Sequence, residues 1–133
     1  MSWLLDTNIC SFILKNQPAL AAHRLMQHRH DEIFVSSVTV FEMRFGCELS
    51  NARERRLQEM SNFLRPFKIV PFDEADATQA GLIRAELQKA GTPIGPYDRL
   101  IAAQALQRNL TLVTNNTREF KRVKGLKLAD WSV

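Results

Sequence analysis

Short apolar runs of strand length alternate with amphipathic stretches of helix length along nearly all of this chain. The runs are Trp3-Leu4-Leu5, Ile33-Phe34-Val35-Ser36, Lys68-Ile69-Val70-Pro71 and Thr111-Leu112-Val113-Thr114. Strands separated by helices pair through crossovers rather than hairpins, so the expected class is α/β, a three-layer α/β/α sandwich. Its sheet should be mostly parallel, with four to five strands, Leu126-Lys127-Leu128 supplying the fifth at an edge. The first and fourth runs are of the type buried on both faces, which suits central positions.

Between these runs lie the helical patterns. Ile9, Phe12 and Ile13 lead to Lys15, with Thr7 or Asn8 as N-cap; Pro18 opens a second helix that continues toward His30. A third begins at Ser37 and runs through Val38-Thr39-Val40-Phe41-Glu42. Arg53 to Leu64 places Leu57, Met60, Phe63 and Leu64 on one face, Asp73 caps a helix reaching Ala90, and Pro96 opens a helix from Tyr97 to about Arg108. At 133 residues the expectation is one domain, 1–133, able to bury a core without disulfides or a structural metal.

Several function classes are disfavoured. Only three core residues precede Asp6, too few for a signal peptide or membrane span, so a cytoplasmic location away from membranes is expected. Cys10 and Cys47 have no paired-ligand spacing and read as buried free thiols. His23, His28 and His30 stand beside no serine or cysteine nucleophile and read as surface residues. Five glycines leave no glycine-rich phosphate loop, so ATP or NAD dependence is not indicated.

What remains is a set of acidic and amide residues where apolar elements begin or end. Asp6 follows the first run, Asn116 follows the fourth with Glu119 beside it, Glu42 lies inside the third helix and Asp98 opens the sixth helical pattern. Ligand sites of open α/β sheets collect at the carboxyl edge, where Asp6 and Asn116 would emerge. Two carboxylates ~4 Å apart repel by ~4 kcal/mol at an effective dielectric of 20, and a hard divalent cation removes that penalty. Such an ion also activates water and polarises a phosphoryl oxygen. Thr7, Asn8, Thr114 and Asn115 supply hydroxyl and amide groups beside these positions, suited either to orienting a carboxylate or substrate or to plain turn and cap chemistry.

Net charge is +4, and the segment from Arg118 to Lys127 sets five cations (Arg118, Lys121, Arg122, Lys124, Lys127) against Glu119 alone. Cations bordering an acidic site suit a polyphosphate chain, which they hold while the metal acts on one ester.

These residues carry a family resemblance. Leu5-Asp6-Thr7-Asn8, Ser37-Val38-Thr39-Val40-Phe41-Glu42, Ile94-Gly95-Pro96-Tyr97-Asp98-Arg99-Leu100-Ile101-Ala102-Ala103 and Leu112-Val113-Thr114-Asn115-Asn116-Thr117-Arg118-Glu119-Phe120 occur in an order and spacing similar to the PIN-domain ribonucleases. Within them the chain resembles the VapC-type toxins of bacterial toxin–antitoxin modules. The resemblance runs from Leu4 to Trp131 and implies the PIN-like form of the α/β/α sandwich.

It further implies a Mg²⁺-dependent endoribonuclease, with Mn²⁺ substituting. Asp6, Glu42 and Asp98 become catalytic metal carboxylates, and Asn116 stands where many members carry a fourth Asp. An amide brings no charge, so Glu119 is the candidate that compensates at a second metal position. Arg118, Lys121 and Arg122, with Thr7, Asn8, Thr114 and Asn115, become substrate-binding residues. The implied partners are a cognate VapB-type antitoxin, whose C-terminal segment enters the active-site groove, an RNA substrate such as tRNA, and a second copy in a homodimer. Leu57, Met60, Phe63 and Leu64 are the candidate dimer face, with core packing as the alternative. Two other readings stay open: a non-catalytic RNA-binding or regulatory PIN-like module, and a phosphomonoester hydrolase.

Overall fold

In the computed structural model, which describes residues 1–133, β1 (Ser2–Leu5) is the middle strand of a five-stranded sheet. The other strands are β2 (Glu32–Ser36), β3 (Lys68–Val70), β4 (Thr111–Val113) and β5 (Leu128–Ala129). Their order is β3-β2-β1-β4-β5 and every pairing is parallel. Leu4 sits opposite Phe34 on one side and Leu112 on the other; Leu5 sits likewise between Val35 and Val113. The fifth strand lies at the expected edge but is displaced two residues downstream, because Lys127 and Ala129 are the residues whose carbonyls receive Leu112 N–H and Thr114 N–H.

Side-chain alternation along the strands separates two cores. Leu4, Leu112 and the half-buried Phe34 and Leu128 face a cluster built with α5 (Glu74–Lys89) and α6 (Pro96–Gln107). Trp3, Leu5, Ile33, Val35 and Val113 face the opposite cluster, with α1 (Thr7–Lys15) and α4 (Arg53–Leu64). Leu4, Leu5, Leu112 and Val113 are wholly buried, each burial contributing about 1.5–3 kcal/mol. The layers are therefore helix, sheet, helix. α2 (Ala19–Gln27), α3 (Ser37–Leu49) and the four-residue α7 (Thr117–Phe120) complete the element set.

Ion pairing fixes the α5–α6 layer. Asp73 and Asp76 form a reciprocal capping box at the start of α5. Asp76, fully buried, is bonded to Arg108 Nη1, whose Nη2 donates to Asp73 Oδ2 at 3.3 Å. Gln104 Nε2 adds bonds to Val70 O and Asp76 Oδ2.

Four expectations are corrected. The N-cap of α1 is Asp6, not Thr7 or Asn8, which lie inside the helix: the Asp6 carboxylate accepts from Ile9 N at 2.8 Å. Pro18 is the N-cap of α2 rather than its first residue, and the helix stops at Gln27. His28 is half-buried rather than on the surface. Its ring stacks on Trp131 at 4.9 Å and its Nδ1 lies 3.0 Å from Asp31 Oδ2, which also accepts from Trp3 Nε1 at 2.9 Å. The Leu57, Met60, Phe63 and Leu64 face is not an open surface. Met60 is buried with its sulfur 3.9 Å from Cys47 Sγ, and Phe63 and Leu64 pack into the second core. Both cysteines are free and buried, as expected. No helix is long and apolar enough to cross a membrane.

Candidate active site

Strand order reverses direction between β1 and β4, and the crevice outside the carboxyl ends of those two strands is where an open parallel sheet takes ligands. Asp6 leaves β1 there and Thr114 leaves β4 beside it; Asp6 N donates to Val113 O at 3.0 Å, locking the two ends together. Asp6 is 3% exposed. Burial above all, helped by the charges of Asp98 and Glu42, brings its carboxyl up to about 6 against the opposing pull of the Thr114 hydroxyl and the Ile9 N–H. One carboxylate oxygen caps α1, so capping and site chemistry share this residue.

Glu42 comes from α3 and is tied to α1. Thr7 Oγ1 donates to Glu42 Oε1 at 2.7 Å, and Thr7 Oγ1 lies 3.0 Å from Thr39 Oγ1. Since the one Thr7 proton is given to the carboxylate, Thr39 must be the donor to Thr7. A relay Thr39 to Thr7 to Glu42 results. Thr39 is a site residue that sequence reasoning missed, although it stands one helical turn before Glu42 and a fully buried threonine needs a partner.

Asp98 lies in the first turn of α6, which Pro96 opens and Gly95 caps. A helix N-terminus favours the ionised carboxylate. Partial burial and the charges of Glu119 and Glu42 outweigh it, and the Asp98 carboxyl is raised. A Cβ built on Gly95 would stand 3.0 Å from Asp98 Oδ2, so the carboxylate folds back over Gly95, where a side chain would press on it.

Asn116 caps the short α7 and donates its Nδ2 to Glu119 Oε2, while its backbone N–H donates to Thr114 Oγ1 at 2.9 Å. The amide holds Glu119 in place, and Glu119 in turn raises Asp98. The structure thus brings Asp6, Glu42, Asp98, Asn116 and Glu119 to one edge. No three of the chain's acidic, histidine or cysteine side chains close into a ready-made metal cage. Burial first, and then the neighbouring carboxylate charges, raise Asp6 and Asp98, a cost that a bound cation would remove, and an all-oxygen donor set fits a hard divalent ion.

Of the remaining expected residues, Asn8, Asn115, Arg118 and Lys121 project into solvent around this edge. Arg122 is also exposed and donates Nη1 to Pro93 O at 2.9 Å. Beside the carboxylates runs a groove of about 290 Å³ lined by α1, α3 and α4, with Thr7, Lys15, Glu42, Arg56, Glu59 and Met60 among its walls.

The PIN domain model matches residues 3–126. The chain belongs to the PIN domain family. PIN-domain nucleases generally depend on a divalent metal. Among PIN relatives, the "tRNA(fMet)-specific endonuclease VapC" of Shigella flexneri is 45% identical over 132 residues, covering 99% of both chains. The "Ribonuclease VapC2" of Haemophilus influenzae strain KW20 is 38% identical, covering 98% of both. Among solved PIN structures, DNA-bound VapBC from Salmonella typhimurium superposes with a TM-score of 0.92 at 40% identity, covering 98% of each chain. VapBC2 from Rickettsia felis, bound to a DNA fragment from its promoter, gives 0.92 at 33% identity over 98% of this chain and 99% of that one.

Proposed function

We propose that residues 1–133 act as one unit, a Mg²⁺-dependent cytoplasmic endoribonuclease of the VapC type, which hydrolyses RNA phosphodiesters with tRNA as substrate. The observation that carries this reading is the convergence of Asp6, Glu42 and Asp98 at the β1/β4 crevice, with Asp6 raised to about 6 by burial and by the other two. Near-full-length likeness to relatives named as ribonucleases supports it.

In this reading Asp6, Glu42 and Asp98 hold Mg²⁺, with Mn²⁺ able to replace it, and Glu119 supplies the further charge that Asn116 does not. When bound, a divalent ion neutralises the attacked phosphodiester and makes water acidic enough to attack it. The chain's own groups do the positioning. Thr7 fixes the Glu42 rotamer, Thr114 and Ile9 N–H fix Asp6, and the Asn116 amide aims Glu119. Arg118, Lys121 and Arg122, with the exposed amides of Asn8 and Asn115, hold the RNA strand on either side of the cut.

The antitoxin partner fits the groove between α1, α3 and α4, which opens directly beside Glu42. For the homodimer, the face on α4 is replaced by an exposed stripe on α3, Phe41, Phe45 and Leu49, which Tyr97 extends through an edge contact with Phe41 at 5.4 Å. Sequencing of RNA 5′ ends after brief expression tests the reading. New ends in a tRNA are expected with the wild-type chain and not with Asp98→Asn. The same ends in both would overturn it.

A further inference from the structure

Two chain segments leave the carboxylate site, and both lead into a second, basic groove. From Asp98 the chain runs back through Gly95 and Pro93 to Thr92 and the end of α5; from Glu119 it runs forward to Arg122 and Lys124. Arg122 N donates to Glu119 O at 3.0 Å, and the Arg122 guanidinium donates to Pro93 O at 2.9 Å, joining the two segments. The space they enclose with α5 is about 500 Å³ and is walled by Lys89, Thr92, Arg122 and Lys124, with Glu86 as its one carboxylate. Arg84 and Arg99 line the adjoining cleft, which shares Leu87 with it.

Cations without a carboxylate partner also occur elsewhere, as at Lys15, Arg56, Arg118 and Lys121, but here five of them line two adjoining clefts. Arg44, Arg53, Arg55, Lys68 and Arg108 are each held by a carboxylate. None of Arg84, Lys89, Arg99, Arg122 or Lys124 has such a partner, so this flank presents free cations in a concave surface. Clustered unpaired cations along a groove are the footprint of a phosphate chain.

We propose that this groove carries the sugar-phosphate backbone of the RNA substrate away from the cut, with Lys89 and Lys124 as phosphate contacts. The inference rests on the ribonuclease reading above and extends it from the scissile phosphate to the flanking strand. It also accounts for Arg122, whose guanidinium is held on Pro93 O and lines this groove. Lys89 and Lys124 contribute charge and not sequence information, so they set affinity and its salt dependence without choosing the base.

RNA binding is measured as a function of salt in an Asp98→Asn background with Mg²⁺, after the wild-type chain has been shown to cut the same RNA. Each phosphate contact on a single strand contributes about 0.7 to the slope of log K against log salt, so Lys89→Ala with Lys124→Ala is expected to flatten it by about 1.4. Arg55→Ala with Lys68→Ala, the same charge change at ion-paired residues that do not line this groove, is expected to leave it in place. An unchanged slope in the Lys89/Lys124 pair, or an equal change in the control pair, overturns the groove while leaving the ribonuclease reading intact. An unchanged slope with weakened antitoxin binding assigns the groove to a protein and equally overturns it. A wild-type chain that neither binds nor cuts RNA overturns both.

Discussion

Thr7 Oγ1 donates to Glu42 Oε1 across 2.7 Å, and this bond joins the first turn of α1 to the middle of α3. Asp6, the residue before Thr7, caps the same helix. One short segment therefore supplies one site carboxylate and orients another. Thr7→Val keeps the shape and removes the donor, leaving Glu42 free to turn toward solvent. The expected result is a loss of about 10–100-fold in metal affinity or cleavage rate. Thermal stability should fall by about 1–3 kcal/mol, because the buried Thr39 hydroxyl loses its acceptor as well. Calorimetric metal titration checks it, Thr7→Ser is expected to retain near-normal affinity, and an unaltered Thr7→Val would remove the orienting role.

Asp6 makes the metal-free chain pH-sensitive. Its folded carboxyl titrates at about 6 against an ordinary value of 3.8, so the native state holds the proton more tightly than the unfolded state. Stability without metal is then highest below about pH 4 as far as this group is concerned, and is lost as pH rises through about 6. The full effect is about 3 kcal/mol. Asp6→Asn keeps an oxygen for the α1 cap and removes the charge. In EDTA at pH 7 it should melt higher than wild type, while losing cleavage in Mg²⁺. Melting curves across pH 4 to 8 check this, and equal pH dependence in the two proteins would contradict it.

Gly95→Ala places a methyl 3.0 Å from Asp98 Oδ2 at a position whose backbone, φ −55°, any residue adopts. The fold should survive and the carboxylate should move. The contact asks Asp98 to give by only a few tenths of an ångström, so the expected loss falls on turnover rather than on melting temperature and stays below the roughly 100-fold that a displacement of about 1 Å at a reacting centre costs. Kinetics and a melting curve on the same sample separate the two.

Arg108→Ala should do the reverse. Asp76 is fully buried and would be left without its counter-charge, a loss of about 3–5 kcal/mol. The carboxylate site lies elsewhere, so protein that remains folded at low temperature should cut RNA at an ordinary rate. Chemical denaturation with an activity assay tests both halves.

The sheet could be read from the chain because its strands are short buried runs, and Leu4-Leu5 and Leu112-Val113 carry no polar residue to confuse the pattern. Asp6, Glu42 and Asp98 were legible as carboxylates placed where strands and helices begin or end, a position that costs free energy unless something uses it. The remainder depended on tertiary contacts. Thr39 acquires its role only when α1 lies across α3, and periodicity along one helix does not reveal that. The Leu57 to Leu64 face looks identical in sequence whether a partner or the chain's own sheet covers it; here Phe63 and Leu64 meet the second core. β5 has two residues and α7 has four, too short for any period to register. His28 reads as a surface histidine until Trp3 and Trp131, from distant parts of the chain, close around it together with the neighbouring Asp31.

The most direct measurement is single-turnover cleavage of a tRNA by the purified chain, in Mg²⁺, in EDTA, and in EDTA followed by excess Mn²⁺. Asp6→Asn, Glu42→Gln and Asp98→Asn are run beside the wild type. The account predicts cutting at one site with Mg²⁺, none in EDTA, recovery with Mn²⁺, and at least about 100-fold slower cutting in each variant. Cleavage that persists in EDTA, or that survives loss of all three carboxylates, would contradict it.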